Sequence, residues 1–366
     1  MSQLTCGFIG LGLIGGSIAK ALKASDSNIK IVAYDVNREA LELAKKEGIA
    51  DVAAMEIDKS FSPCDYLFLC APVQKNDQNL EAVKKLLSPG CILTDVGSVK
   101  TSIHETVAQA GLEHCFIGGH PMAGSERVGY VNSKASLLEN AYYILTPTSS
   151  VSGEKVEAFR QLVEKMGAIP LILEPCQHDY VTAAISHLPH VVAASLVNLI
   201  ESSDSEEGIM RMVAAGGFKD ITRIASSSSV MWQQICLTNG KNISELLSRY
   251  IQALTDFKTA IDDQDGEGLY QRFDSARTYR DSFANASSGP IKRSYSINVD
   301  IADRAGALAH IVTLLAEQNL SIKNIAISHN RESEDGVLRV EFYQESSMTK
   351  GVELLEASGY TVHVRY

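Results

Sequence analysis

Residues 10–15 read Gly10-Leu11-Gly12-Leu13-Ile14-Gly15, preceded by the apolar run Leu4-Thr5-Cys6-Gly7-Phe8-Ile9 and followed by a helical pattern over 15–22. A G-x-G-x-x-G stretch between a strand and a helix is the phosphate-binding turn of a dinucleotide fold. Gly10 permits the tight turn, Gly12 lets the backbone approach a diphosphate, and Gly15 allows close helix packing, while the N–H groups at the helix start, around Leu13 and Ile14, face the phosphate charge. Asp35 closes the next apolar run, Ile31-Val32-Ala33-Tyr34, twenty residues after Gly15. A carboxylate there accepts ribose hydroxyls and repels a 2′-phosphate, which favours NAD over NADP; Arg38, three residues on, works against that preference. The alternative is a Gly-rich turn that binds nothing or binds another nucleotide.

Outward from this turn, β-rich runs at 4–10, 30–34, 66–70, 91–95, 115–118, 141–145 and 169–173 alternate with helical patterns. Such alternation predicts an α/β domain over 1–173, a Rossmann-type doubly wound parallel sheet. Cys70-Ala71-Pro72 and Asp95-Val96-Gly97-Ser98 follow two of these strands, at the carboxyl edge where a cofactor would lie. Over 174–288 strand signals stop and helical patterns at 179–202, 228–238, 243–263 and 269–283 predict an all-helical second domain. Residues 284–293 have linker chemistry, broken by Gly289-Pro290. Over 294–366 the order is β-α-β-β-α-β, a ferredoxin-like unit. Its first strand alternates Tyr295, Ile297, Val299 and Ile301, and its first helix begins at Gly306 with Leu308, Ile311, Val312 and Leu315 on one stripe.

The chain has 366 residues, 45% hydrophobic and 21% charged, which fits two or three globular domains. A formal charge of -11 argues against nucleic acid or an anionic membrane surface as partner. The seven cysteines are odd in number, form no C-x-x-C pair and sit mostly among apolar residues, so they read as reduced core thiols of a cytoplasmic protein with no metal site. Neither a signal peptide nor a membrane span is expected, since no uninterrupted apolar run reaches 18 residues.

Chemistry-bearing residues cluster in three places. Gly118-Gly119-His120-Pro121-Met122-Ala123-Gly124-Ser125 follows a strand, so His120 is expected to project from a loop at the same sheet edge. A neutral imidazole there can accept a hydroxyl proton while hydride leaves the same carbon; the alternative is a histidine that only caps the loop. His187-Leu188-Pro189-His190 sets two imidazoles on one helical face beside a kink-forming proline. A shaped site and a satisfied core histidine pair are both open, and a metal pair lacks a third ligand. Gly216-Gly217-Phe218-Lys219-Asp220-Ile221-Thr222-Arg223 enters another helical stretch. Arg223 is either the anchor for a substrate carboxylate or half of an ion pair with Asp220.

These motifs together resemble the prephenate dehydrogenase family, here with a C-terminal ACT domain. The resemblance is carried, in order, by residues 10–16, Asp95-Val-Gly-Ser-Val-Lys100, Gly119-His-Pro-Met-Ala-Gly-Ser125, Ser186-His-Leu-Pro-His190 and residues 216–225. It implies NAD-dependent oxidative decarboxylation of prephenate to 4-hydroxyphenylpyruvate for L-tyrosine synthesis, with His120 as base. It further implies that Ser98 contacts the histidine and the substrate hydroxyl, that Ser125, His190 and, more weakly, His187 and Gly216 line the substrate pocket, and that Arg223 grips a carboxylate. The helical domain would make a homodimer. The ACT unit would bind L-tyrosine as feedback inhibitor at Asp303, Arg304, Ala305, Gly306, Ala307 and Leu308, with Asn324 and Ile325 alongside. Two alternatives stay open: an arogenate dehydrogenase and a non-catalytic amino-acid sensor. A β-hydroxyacid dehydrogenase would need a lysine early in the helical domain, where none stands before Lys219.

Overall fold

The computed structural model describes residues 3–72, 75–124, 127–285, 295–302, 304, 306–329 and 335–365. The chain divides into two compact units, 1–280 and 281–366. In the first, the elements run β1 (Thr5–Ile9), α1 (Leu13–Ser25), β2 (Lys30–Tyr34), α2 (Arg38–Lys46), β3 (Val52–Ala54), β4 (Tyr66–Leu69), α3 (Asn76–Lys84), β5 (Ile92–Asp95) and α4 (Thr101–Ala110). These strands form one parallel sheet in the order β3-β2-β1-β4-β5, in which the order reverses between β1 and β4. Ligands bind parallel sheets of this kind at that reversal, outside the carboxyl ends of the strands.

Both faces of the sheet are covered, because β1 alternates sides: Cys6 and Phe8 pack with Ile18 and Leu22 of α1, whereas Ile9 packs with Leu80, Val83, Ile103 and Val107 of α3 and α4. Phe8 stacks on Phe68 with ring centroids 4.9 Å apart.

Next come β6 (Ile117–Pro121), β7 (Tyr142–Pro147), α5 (Gly153–Lys165) and β8 (Ile169–Ile172). They make a separate three-stranded sheet in which β6 and β7 are antiparallel, joined to the first sheet by a bridge between Leu93 and Phe116. The parallel expectation therefore fails at β6–β7, while β7 and β8 pair parallel. Strand direction is decided by the connection, and the crossover from β6 to β7 carries short turns in place of a packed helix. The brief β3 was not anticipated.

Helices then take over: α6 (Pro175–Thr182), α7 (Leu188–Ser203), α8 (Ile209–Val213), α9 (Gly216–Thr222), α10 (Ser229–Thr238), α11 (Gly240–Asp262) and α12 (Gly266–Asn285). A wider π-type turn over Ala183–His187 joins α6 to α7, and Pro189 falls at the start of α7. Proline lacks an N–H and crowds the preceding turn, and the looser π turn absorbs both effects without ending the helix. The continuous helix Pro175–Ser203 is long and apolar enough to cross a membrane by length and composition, with mean hydropathy 1.5. It nevertheless carries His178, Asp179 and His187, all buried in polar contacts. All seven cysteines are free; Cys6, Cys64, Cys91 and Cys115 are core residues as expected, but Cys176 is exposed.

The second unit contains β9 (Tyr295–Ala302), α13 (Ala307–Glu317), β10 (Ile322–His329), β11 (Asp335–Phe342), α14 (Glu345–Ala357) and β12 (Val362–Arg365). Its antiparallel sheet runs β10-β11-β9-β12, the strand order of a βαββαβ unit. Ile297, Val299 and Ile301 face Ile311, Leu315 and Leu355 in one core, while Leu308, at the open end of its helix, is exposed.

Candidate active site

The glycine turn has the shape its sequence requires. Gly10 adopts φ +100°, which only glycine takes without strain, and a Cβ there would lie 2.7 Å from the backbone of Cys70 and Ala71. At Gly15 a Cβ would lie 2.5 Å from the Gly10 carbonyl. Gly12 differs: it caps α1 with no side-chain hydrogen bond, and nothing lies within 4 Å of where its Cβ would be. The free space and the first N–H groups of α1, on Leu13 and Ile14, which have no acceptor within the helix itself, suit a diphosphate. Asp35 sits beside the turn, its carboxylate accepting from the Leu11 N–H at 2.5 Å and the Asn37 N–H at 2.7 Å. Arg38 is exposed and turned to Met55, donating to that carbonyl at 2.8 Å. Cys70, Ala71 and Pro72 leave β4 at the sheet reversal; burial pushes the Cys70 thiol far above the ordinary range, so it serves as packing and not as a nucleophile.

A second group of residues gathers at β5, β6 and α6. His120 lies within β6, paired with Ile144, and so does not project from a loop. The two glycines before it, Gly118 and Gly119, let the strand come this close: a Cβ at Gly119 would lie 2.7 Å from the Asp95 carbonyl. Lys100, fully buried, ties the region together by donating to the Asp95 carboxylate and, at 2.8 Å, to the Gly119 carbonyl. Asp95 also accepts from the Gly97 and Gly119 N–H groups, at 2.9 and 3.2 Å. The loop carrying Ser98 is thus pinned at both ends, next to the strand that carries His120.

His120 Nδ1 lies 2.8 Å from His178 Nε2, and His178 Nδ1 lies 2.8 Å from Asp179 Oδ1. Asp179 also accepts the backbone N–H groups of Lys100 and Thr101, at 2.7 and 2.8 Å. From the Asp179 carbonyl the chain of contacts continues through Asn239, whose amide nitrogen donates to it at 2.8 Å and lies 3.1 Å from His187 Nδ1. Asn242 donates to Asn239 Oδ1 at 2.8 Å, which fixes the orientation of that amide. His187 meets the edge of Trp232, on which His190 stacks at 3.7 Å. Burial drives His120 well below the ordinary histidine value, helped by His178 and Lys100, and drives His187 down to about 4. Both imidazoles are neutral at pH 7.

The structure thus brings His120, His187 and His190 into one connected cluster. Gly216 opens α9 and Arg223, exposed, closes it. Ser125 lies outside the described residues. In the second unit, Gly306 takes φ +87° at the start of α13, followed by Ala307 and Leu308, and Arg304 is exposed. Asn324 accepts from the Ile325 N–H at 2.9 Å, and both are exposed. Asp303 and Ala305 lie outside the described residues.

Sequence reasoning missed His178, Asp179 and Asn239. A His-Asp pair in the opening turns of a helix that starts with Pro175 is the one local signal for the first two.

A dinucleotide cradle beside a neutral histidine, with a helical half supplying further imidazoles, defines a nucleotide-dependent dehydrogenase. Residues 18–171 match the family described as prephenate dehydrogenase, nucleotide-binding domain, and residues 174–275 match prephenate dehydrogenase, dimerization domain. A prephenate dehydrogenase of Bacillus subtilis is 36% identical over 353 residues, 95% of this chain and 94% of that one. The solved prephenate dehydrogenase of A. aeolicus, in complex with hydroxyphenyl propionate and NAD+, has a TM-score of 0.73 and 33% identity over 77% of this chain and 99% of its own. The Synechocystis arogenate dehydrogenase has a TM-score of 0.68 and 30% identity over 76% of this chain and 100% of its own. The chain belongs to the prephenate dehydrogenase family.

Proposed function

We propose that the protein catalyses the NAD-dependent oxidative decarboxylation of prephenate to 4-hydroxyphenylpyruvate, as a cytoplasmic homodimer feedback-inhibited by L-tyrosine at its second unit. The observation that carries the reading is His120, a neutral imidazole beside the Ser98 loop at the edge where the glycine turn opens. When bound, NAD supplies the acceptor for the hydride that leaves C4 of the ring. Gly12 and the N–H groups at the start of α1 hold its diphosphate and Asp35 its ribose. His120 takes the proton of the C4 hydroxyl, loss of the ring carboxylate as carbon dioxide makes the ring aromatic, and that gain makes the reaction effectively irreversible. Ser98 positions the hydroxyl, and Arg223 and His190 hold the carboxylate end.

Prephenate is preferred over arogenate here on the prephenate dehydrogenases among the relatives, and the arogenate dehydrogenase similarity keeps the second substrate in the test. Side-by-side NADH production from the two should give the higher kcat/KM with prephenate; a higher value with arogenate reverses the assignment. For the homodimer, support comes from the dimerization-domain match and from the exposed apolar side chains of the helical region, among them Leu199, Met212, Leu237 and Ile251. The ACT reading of the second unit is supported by its βαββαβ order and by Gly306, whose left-handed conformation leaves the start of α13 open to a carboxylate. Calorimetric titration with tyrosine should give binding to the wild type and none to Gly306→Val; equal binding would remove this site.

A further inference from the structure

Helix α4 begins against a carboxylate from elsewhere in the chain. Asp179 receives the Lys100 and Thr101 N–H groups, so the electropositive end of a ten-residue helix holds it as an anion. Burial raises its pKa, but hydrogen bonds from His178, Thr101 and Lys100 outweigh burial and keep it below the ordinary aspartate value. The proton positions along the chain follow one from another. An ionised carboxylate only accepts, so His178 Nδ1, 2.8 Å away, carries a hydrogen. With a single ring hydrogen, held on Nδ1 by Asp179, His178 presents Nε2 as a bare lone pair. His120 Nδ1, facing it at 2.8 Å, must therefore donate, which leaves His120 Nε2 as the basic atom.

We propose that His178 and Asp179 are positioning residues that lock His120 in its Nδ1–H tautomer and stabilise the imidazolium formed when Nε2 accepts the substrate's hydroxyl proton. The proton stays on His120, His178 keeps its Nδ1 hydrogen and Asp179 stays ionised; the gain is a stronger His120 Nδ1–H hydrogen bond backed by a fixed negative charge. This rests on the reading of His120 as base. The charged and titratable groups that face His120 are His178 and Asp179 from α6, Lys100 from the start of α4 and His187 from the π turn. Lys100 is itself held by Asp95 of β5. Of these, Asp179 favours the imidazolium by its charge and Lys100 opposes it, while neutral His178 accepts the His120 Nδ1–H bond.

The test is 15N spectroscopy of histidine-labelled protein, with the His120→Asn spectrum assigning the resonances, paired with kinetics. In the wild type at pH 7 His120 should be neutral with its hydrogen on Nδ1. Asp179→Asn should release the lock, moving hydrogen onto Nε2, lowering kcat about 10²-fold and shifting the acidic limb of the kcat/KM profile to lower pH. NADH affinity should stay within about threefold of the wild type. A merely structural role would lower the melting temperature and leave the tautomer and the limb in place. If Asp179→Asn does not fold, His178→Phe, which keeps ring volume in a buried slot and removes both hydrogen bonds, should show a similar kcat loss. Hydrogen found on Nε2 in the wild type, or kcat within about threefold in the folded variant, overturns the proposal. Absence of turnover with prephenate and with arogenate would refute the functional reading alone, because the tautomer spectra still decide the relay.

Discussion

Two helices in the first unit start at the carboxyl edge of the same parallel sheet, and their ends are finished in opposite ways. Helix α1 starts at Gly12 with no side-chain cap and open space above it. Helix α4 also lacks a cap from its own Lys100, yet its first N–H groups are taken by Asp179, 79 residues along the chain from Lys100. The same macrodipole thus ends in open space in one place and on an internal carboxylate in the other. On the function proposed above, the open end takes the cofactor's diphosphate and the filled end holds the fixed charge that orients the histidines.

Substitutions can break this division at chosen points. The largest effect should follow His120→Ala, which removes the group that the filled end serves: kcat should fall about 10³-fold while NADH still binds, and a near-normal kcat would reassign the base. Gly12→Val fills the open end without touching the core. It should weaken NADH binding about 10²-fold with a melting temperature near that of the wild type, as read by fluorescence titration and calorimetry. Arg223→Ala leaves both ends intact and should raise KM for prephenate about tenfold with little change in kcat; an unchanged KM removes it as the carboxylate anchor.

The smallest functional effect concerns pH. In the unfolded chain histidine titrates near about 6.5, but folded His120 and His187 lie lower, so the unfolded state takes up protons first. Their contribution to stability is therefore complete above about pH 6.5 and drains away as pH falls towards the His187 value of about 4. Melting temperature should drop by several degrees between about pH 7 and about pH 4.5, and less so in His187→Gln.

The open end was legible in the sequence and the filled end was not, for a physical reason. Gly10, Gly12, Gly15 and Asp35 act through local backbone geometry, and the strand-turn-helix pattern that surrounds them is written in adjacent residues. His120, His187 and His190 were visible as unusual residues in loop-like or apolar settings. Their connection through His178, Asp179 and Asn239 was invisible, because it joins segments 52 to 79 residues apart. The antiparallel β6–β7 pair escaped for a similar reason, since local periodicity gives a strand but not its direction. In the second unit the alternation of Ile297, Val299 and Ile301 did specify the buried face of β9 correctly.

The division between the two helix ends is tested most directly by titrating NADH into the wild type, Gly12→Val and Asp179→Asn side by side. Gly12→Val should lose about 10²-fold in affinity while Asp179→Asn stays within about threefold of the wild type. Equal losses in the two variants, or tight binding by Gly12→Val, would contradict that division.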